Sequence, residues 1–301
     1  MLRSMFSAIS GLKAHQTMMD VTANNIANVN TVGFKAERTA FSAMLSQTVR
    51  GASAPDPNGS GGTNAAQVGL GVNVGSLQNV LTQGSAQDTG QWSDLAIQGD
   101  GMFAVSATRP AAGTTPTGVD FTRAGNFTVD QAGDLVTQSG SYVLGNSVQN
   151  QGPPVTYNDD LQPINIPLDA QSVSVGQDGS VTYIDASNVR QTAGRVAIVK
   201  FPNPAGLTRI GDNLWQASAN SGAYDSTNSN NSGTPTAGVA SWGAAGQNGR
   251  GTIMSAKVEM SNVDLATEFT SMITAQRGFQ ANSKVISSSD EMLQDLVNLK
   301  R

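Results

Sequence analysis

Residues 265–301 read LATEFTSMITAQRGFQANSKVISSSDEMLQDLVNLKR, and this C-terminal stretch decides the fold. An apolar side chain recurs in it every seven residues without a gap, at Leu265, Met272, Phe279, Ile286 and Leu293. The alternate row is apolar only at its ends, Phe269 and Val297. A seven-residue repeat places one narrow apolar stripe along a helix. The pattern predicts a helix over about residues 264–299, which Ser261 or Asn262 would cap.

The N-terminus carries the same repeat. One row consists of Met5, Leu12, Met19 and Ile26, and a second row begins with Leu2 and Ile9. The predicted helix ends near residues 28–30, because asparagine favours turns. His15 lies on the outer part of this helix, where we expect it to have a structural role.

The two predicted helices lie at opposite ends of the chain and carry matching apolar stripes. Pairing the helices would bury both stripes at once. Two such helices bury a single seam, and polar residues such as Gln16, Gln276 and Asp290 weaken it. We therefore expect neighbouring copies of the chain to supply further burial.

The middle of the chain has the pattern of β-structure. Residues 173–175 and 181–184 alternate on either side of a Gly-Gln-Asp-Gly turn, and residues 127–129 and 135–137 flank a second turn. Residues 196–201 read as a buried strand that Pro202 ends. We predict an α+β protein: terminal helices paired as a coiled coil (1–30 with 264–301), an extended linker (31–90 with 250–263) and an all-β outer domain (91–249).

Composition excludes several function classes. The 301 residues contain no cysteine and a single histidine, which rules out thiolate nucleophiles and multi-histidine metal sites. The net charge of −5 disfavours a nucleic-acid partner, and no apolar run is long enough to span a membrane. The N-terminus does not resemble a cleaved signal peptide. We predict a structural protein rather than an enzyme, with no cofactor; a secreted adhesin and a hydrolase hidden in the β domain are the other classes that we considered.

Motifs at both ends resemble the flagellar axial proteins, the family of rod, hook and hook-associated subunits. At the N-terminus these are Ser10-Gly11-Leu12, residues 23–28 (ANNIAN) and Gly33-Phe34-Lys35. At the C-terminus they are residues 261–265 (SNVDL), 275–282 (AQRGFQAN) and 296–299 (LVNL). Residues 95–103, 121–127 and 211–215 carry the resemblance through the middle of the chain.

Within this family the C-terminal motifs look most like the hook protein, which implies a subunit of the curved tube that transmits motor torque to the filament. Two features point instead to the distal rod, the alternative interpretation. The chain is short for a hook protein, with little room between about 145 and 195 for an outer domain. It also carries an insertion at residues 51–66, where distal-rod subunits resemble it.

The resemblance implies a helical homopolymer in which the paired helices form the innermost layer around a channel. It also implies contact with distal rod, hook cap and hook–filament junction proteins. Export through the flagellar type III apparatus, without cleavage, would place the chain in the extracellular hook or the basal body.

The residues expected at the assembly interface are those of the two helical stripes and of the motifs beside them. For Asn24, Asn25 and Asn28, bonds between subunits and local capping of the helix end are both open. Gly33 is expected to supply an unusual backbone angle and Phe34 an apolar anchor. The full set is Leu2, Met5, Ile9, Leu12, Met19, Asn24, Asn25, Ile26, Asn28, Gly33, Phe34, Leu265, Phe269, Met272, Gln276, Phe279, Ile286, Leu293 and Val297.

Overall fold

The computed structural model describes residues 2–55, 59, 61–110, 116, 118–152, 155–229 and 239–299. The chain begins with a long helix, α1 (Leu2–Ala27), and ends with another, α2 (Leu265–Asn298). Between them in the sequence lie β-strands and a short 3-10 turn at Pro204–Gly206. The strands are β1 (Glu37–Ala43), β2 (Ser46–Arg50), β3 (Ala66–Gly69), β4 (Val72–Asn79), β5 (Ala86–Asp88), β6 (Leu95–Gln98), β7 (Met102–Ser106), β8 (Val119–Thr122), β9 (Phe127–Val129), β10 (Leu135–Thr137), β11 (Tyr142–Asn150), β12 (Thr156–Pro163), β13 (Ser172–Val175), β14 (Ser180–Ile184), β15 (Arg190–Val196), β16 (Ile198–Lys200), β17 (Thr208–Gly211), β18 (Leu214–Gln216), β19 (Ala223–Ser229), β20 (Val239–Gly243), β21 (Thr252–Ser255) and β22 (Lys257–Glu259). The α+β class, with helical ends and a mostly β middle, is confirmed.

The chain forms two compact units rather than the three predicted domains. Unit 1 contains residues 1–28, 36–80 and 263–301, and unit 2 contains residues 29–35 and 81–262. The predicted linker is therefore divided. Its central part, residues 36–80, packs with the helices, whereas residues 31–35, 81–90 and 250–262 belong to the β unit.

The two helices of unit 1 pack side by side and run antiparallel. Gly11 on α1 faces Asn282 on α2: a Cβ atom on Gly11 would lie 2.6 Å from the Asn282 amide nitrogen. Four residues on, the His15 ring lies over Gly278, where an added Cβ would come within 2.5 Å of it. The two helices approach closely because small residues meet large ones at these places.

The buried faces of the helices are one residue out of phase with the predicted stripes. On α1 the buried positions are Ala8, Gly11, Ala14, Thr22 and Asn25, and on α2 they are Ala275 and Ser289. The predicted rows lie beside these faces. The seam is built mainly from small residues, which a repeat of large apolar side chains does not indicate.

The helix boundaries agree with the sequence, but the cap does not. Helix α1 ends at Ala27, and α2 occupies the predicted range. Its N-cap is Asp264, whose carboxylate accepts a hydrogen bond from the backbone N–H of Ala266 at 3.0 Å. Neither Ser261 nor Asn262 caps the helix, because the chain becomes helical only after Asp264.

Residues 36–80 form a β-hairpin arm. Strand β1 pairs with β4 and strand β2 with β3, both antiparallel. At the joint between the two pairs the Ser10 hydroxyl accepts a hydrogen bond from the backbone N–H of Val72 at 3.2 Å. Gly71 has a φ of 131° there and lies against the Ser10 side chain. Of the predicted insertion 51–66, residues 56–58 and 60 lie outside the described residues.

Unit 2 is built on a large, mainly antiparallel sheet. Its main path runs β13-β14-β15-β11-β7-β16-β20-β19, and only the last pair along this path is parallel. Both predicted hairpins are confirmed, as β13–β14 and β9–β10. The strand predicted at residues 196–201 is divided at Ala197, where pairing passes from β11 to β20 and β7.

The core of unit 2 occupies both faces of this sheet. Strand β7 shows why: Phe103 and Val105 belong to one apolar cluster, whereas Met102 and Ala104 belong to the other. Side chains alternate between the faces of a strand, so a strand buried on both faces is apolar throughout. Both clusters contain aromatic side chains, and Trp215 and Trp242 are buried in the second.

Candidate assembly surface

Unit 1 exposes many large apolar side chains. Phe269 is 50% exposed and Val297 is 68% exposed on α2, and Leu45 on the arm is 85% exposed. Large exposed apolar patches mark interaction sites on soluble proteins, so these side chains are candidates for such a site. The other exposed apolar residues of this unit are Phe6, Ile9, Phe41, Met44, Val49, Val68, Leu70, Leu77, Leu265, Ile273, Phe279, Val285, Met292 and Leu299.

The predicted interface residues of the helices divide by burial. The half-buried ones flank the seam: Met5, Leu12, Met19, Ile26, Met272, Ile286 and Leu293. The exposed ones point away from it: Ile9, Leu265, Phe269, Gln276, Phe279 and Val297. Leu2 begins α1, and its side chain lies outside the described part of the chain. The structure thus brings the half-buried group together at the edge of the seam and leaves the exposed group available to other molecules.

The three asparagines near the end of α1 have different surroundings. Asn24 is exposed, and its side-chain oxygen accepts a hydrogen bond from the amide of Asn28 at 3.1 Å. Asn25 is buried and bonds to other elements of unit 1. Its amide donates to the backbone oxygen of Glu37 at 2.8 Å and to the Glu268 carboxylate at 3.1 Å, and its oxygen accepts from the Glu37 N–H at 3.0 Å. Asn25 therefore joins α1, the arm and α2 within one subunit.

Gly33 and Phe34 lie in unit 2, where the chain first enters it. Gly33 has a φ of 70°, and a Cβ there would overlap the backbone of Ala124. Phe34 is buried, and the guanidinium of Arg209 lies over its ring at 4.8 Å. The same guanidinium donates to the Lys35 carbonyl at 2.8 Å. The unusual backbone angle and the apolar anchor that the sequence predicted are both present.

Next to this anchor lies a buried cluster of charges. Lys35 is 0% exposed, and its ammonium group donates to the Glu259 carboxylate at 2.5 Å and to the Thr82 carbonyl at 2.8 Å. Arg123 forms an ion pair with the other oxygen of Glu259 at 3.4 Å. Burial lowers the pKa of Lys35, and the Glu259 carboxylate opposes that shift. Burial likewise lowers the pKa of Arg123.

Glu259 also fixes backbone around it. Its carboxylate accepts from the Gly84 N–H at 2.9 Å, and its carbonyl accepts from the Gly33 N–H at 2.8 Å. Lys35 belongs to a sequence motif, but its partner Glu259 lies 224 residues away, so no local pattern in the sequence indicates this cluster.

Three protein-family models match the chain in order along its length. Residues 5–35 match the flagella basal body rod protein model. Residues 96–183 match the D1 domain of the flagellar hook protein FlgE/F/G model, and residues 254–299 match the C-terminal model of the flagellar basal body rod FlgEFG proteins. The chain is 46% identical over 301 residues, covering all of both chains, to the flagellar basal-body rod protein FlgG of Bacillus subtilis. The chain belongs to the flagellar rod and hook family.

Other members of the flagellar rod and hook family differ in how closely their length agrees with that of this chain. FlgG of Caulobacter vibrioides is 36% identical over 302 residues, which is 99% of this chain and 100% of that protein. The flagellar hook protein FlgE of Borreliella burgdorferi is 27% identical over an alignment of 466 positions that spans both chains completely. An alignment that long contains segments without counterparts here. Agreement in length and identity thus favours the rod proteins over the hook protein.

Two features are absent from the part of the chain that the structure describes. Neither described helix is long and apolar enough to cross a membrane. Within the same residues, no group of three or more histidine, cysteine, aspartate or glutamate side chains is arranged to hold a metal ion.

Proposed function

We propose that this chain is a structural subunit of the flagellar rod, and of its distal part in particular. The observation that carries the proposal is the full-length match to rod proteins, set against a hook protein whose alignment needs 466 positions. The short stretch between about 145 and 195 agrees with it, since strands β11 to β15 of unit 2 take up most of the described residues there. The hook interpretation, which the C-terminal motifs favoured, has less support.

The subunit polymerises with copies of itself, and it acts as a scaffold rather than a catalyst. Contacts between different surfaces of identical subunits generate open helical polymers when the rotation does not close. The exposed apolar side chains of α1, α2 and the arm are the surface that such contacts would bury. Contacts with neighbouring axial proteins and passage through the type III export apparatus, without cleavage, are part of this proposal and derive from the family resemblance.

Immunogold electron microscopy on isolated hook–basal bodies tests the location, with antibody raised against residues 91–250. We expect label on the straight segment that lies within the envelope. Label on the curved extracellular segment would instead assign the chain to the hook. The same preparation from cells lacking the gene provides the control for antibody specificity.

Substitution of an exposed apolar residue tests the assembly surface. Replacing Phe269 by serine removes an apolar side chain that packs little within its own subunit, so we expect polymer to be lost while the monomer stays folded. Negative-stain microscopy measures polymer, and circular dichroism at 222 nm measures folding of the helices of unit 1, in which Phe269 lies. Thr270→Ala, at the next exposed position of α2, is the matched control and should polymerise normally. Polymerisation of Phe269→Ser at wild-type yield would contradict the assignment of this surface.

A further inference from the structure

Unit 2 contains an open groove of about 430 Å³, a volume in the usual range of ligand sites. Trp92, Val129 and most of residues 166–173 line it, and all of them belong to unit 2. The lining is mainly apolar, and two of its apolar residues are exposed, Leu168 by 73% and Val129 by 36%. The apolar side chains of this groove are therefore available to another molecule.

Two strands that contribute to the groove each have one free edge. Within the described residues β9 pairs only with β10, and β13 pairs only with β14. Residues of an antiparallel pair alternate between those that exchange backbone hydrogen bonds and those that do not. The Asp130 N–H bonds across the first hairpin at 3.0 Å, and the Gly176 N–H bonds across the second at 2.8 Å. Counted back from these bonds, the N–H and C=O groups of Val129 and Val173 point away from their hairpin partners.

Backbone groups at a free strand edge are an attachment point for an added strand. In β-strand addition the main chain of an extended peptide bonds to such an edge, and its alternate side chains enter pockets beside it. Val129 and Val173 both line the groove, so free backbone groups and an apolar lining lie at the same place. The groove therefore has both features by which proteins recognise an extended peptide.

The charges around the groove indicate a basic occupant. Asp130 directly follows Val129, and the exposed Asp169 lies between the lining residues Leu168 and Ala170. No lysine or arginine is among the described residues that line the groove. Most of the acidic residues of the chain, but only about half of its basic residues, lie in unit 2. Complementary charge therefore favours a segment that carries lysine or arginine.

A second copy of the chain is a poor source of such a segment. The exposed arm strands β2 and β3 contain one basic residue, Arg50, and its guanidinium donates to the Asn64 carbonyl within the arm at 3.3 Å. The other large group of strands belongs to unit 2, whose own excess of acidic residues opposes its approach to carboxylates.

We propose that the groove binds an extended segment of a different protein, in which apolar and basic residues alternate. The segment adds as a strand to the free edge of β13. Its apolar side chains pack against Leu168 and Trp92, and its basic side chains meet Asp130 and Asp169. This inference concerns unit 2 alone, so it does not depend on whether the chain belongs to the rod or the hook.

A short designed peptide that alternates valine with lysine, labelled with fluorescein, serves as the probe. Fluorescence anisotropy measures its binding to the full chain at a concentration where the chain is monomeric. We expect saturable binding that weakens as salt is added, because salt screens the attraction between charges. The matched peptide that alternates valine with glutamate should not bind.

Substitutions in the groove separate the apolar and the charged contributions to this binding. Leu168→Ser removes an exposed apolar side chain, so the affinity should fall about tenfold. Val189→Ser changes an apolar residue that is 50% exposed outside the groove, and it should bind normally. Asp169→Lys should weaken binding and reduce its dependence on salt. Asp160→Lys, the same charge reversal at an exposed position that does not line the groove, should have a much smaller effect.

Hydrogen exchange measured by NMR locates the bound peptide. The Val173 amide points to the free edge of β13, so it should exchange more slowly once the peptide is bound. The neighbouring Ser174 amide points to β14 and is the internal control, because it should change little.

The proposal would be overturned by the absence of saturable binding, by equal affinities of Leu168→Ser and the wild type, or by unchanged exchange at Val173 in the saturated complex. Slower exchange at Val173 when the chain polymerises without any peptide would contradict it in another way, because it would assign the groove to a second copy of this chain.

Discussion

Glu259 shows how one side chain can serve several segments. Its carboxylate lies between two buried cations, Lys35 and Arg123, and also accepts from the Gly84 backbone. Removing one member of a buried ion pair leaves the other charge uncompensated, which costs more than the pair contributes when intact. The cluster contains two positive groups and one negative group. Replacing Glu259 should therefore destabilise the protein more than replacing either of the two cations.

We therefore predict that Glu259→Gln destabilises unit 2 by roughly 3–5 kcal/mol, the range for breaking a buried pair. Lys35→Met should cost less, since it leaves Arg123 and Glu259 as a balanced pair. Urea unfolding followed by tryptophan fluorescence measures both free energies.

A surface ion pair provides the comparison for this prediction. The Lys257 ammonium lies 2.6 Å from the Asp88 carboxylate, and the aspartate side chain is largely exposed. Asp88→Asn should therefore change the free energy of unfolding by less than about 1 kcal/mol. Equal costs for Glu259→Gln and Asp88→Asn, or a larger cost for Lys35→Met than for Glu259→Gln, would contradict the account of the cluster.

At the residue scale the sequence predicted those features that have local causes. A glycine followed by an apolar residue after a helix indicated a turn and an anchor, and Gly33 and Phe34 occupy those roles. Asn25 belongs to a motif that the sequence also shows, but its partners Glu37 and Glu268 lie 12 and 243 residues away along the chain. Only the folded chain shows that its bonds stay within one subunit.

Among the elements, the helices show which properties a sequence repeat predicts correctly and which it does not. The seven-residue period of large apolar residues located α1 and α2 to within a few residues. It assigned the wrong face to the seam, because the small residues that are buried there lie one position away from the large apolar residues of the repeat. Small residues signal close approach only when a partner is already known.

The start of α2 should be sensitive to acid. The Thr267 hydroxyl and the Ala266 N–H both donate to the Asp264 carboxylate, and these bonds lower its pKa. A carboxyl group with a lowered folded-state pKa contributes stability above its unfolded pKa of about 3.9, and this contribution is lost as pH falls through the folded value. Burial raises the pKa of the nearby Glu268, whose titration acts in the opposite direction.

We predict that the wild-type helix signal at 222 nm falls more between pH 5 and pH 2.5 than that of Asp264→Asn. Asparagine is also a good N-cap but does not titrate. Both proteins retain Glu268 and the burial that mainly raises its pKa, and the variant loses only the smaller contribution of the Asp264 charge to that shift. Circular dichroism at matched concentrations measures the difference. Superimposable acid curves for the two proteins would rule out a role for the Asp264 charge.

For the whole molecule, the two units differ in the kind of core that they contain. Unit 2 has two apolar clusters with buried aromatic rings on both faces of a sheet. Unit 1 has a narrow seam of small residues and an arm whose outer strands β2 and β3 are exposed along their length. Buried apolar area is the main source of stability, so unit 1 should unfold first.

The sequence supplies a probe for each unit. Trp92, Trp215 and Trp242 are the three tryptophans of the chain and all lie in unit 2, whereas both long helices lie in unit 1. We predict that on heating the monomer the signal at 222 nm is lost at a lower temperature than the tryptophan fluorescence. A single coincident transition by both probes would show that the units unfold together.

The path of the chain has a mechanical consequence. The backbone passes between the two units four times, at residues 28–29, 35–36, 80–81 and 262–263. The segments that begin or end at these crossings, 29–35, 81–84 and 257–262, all bond to Glu259 or contain it. The three segments that lead to these crossings are therefore held together inside unit 2 by one glutamate. Loss of that glutamate would release three separate parts of the chain at once.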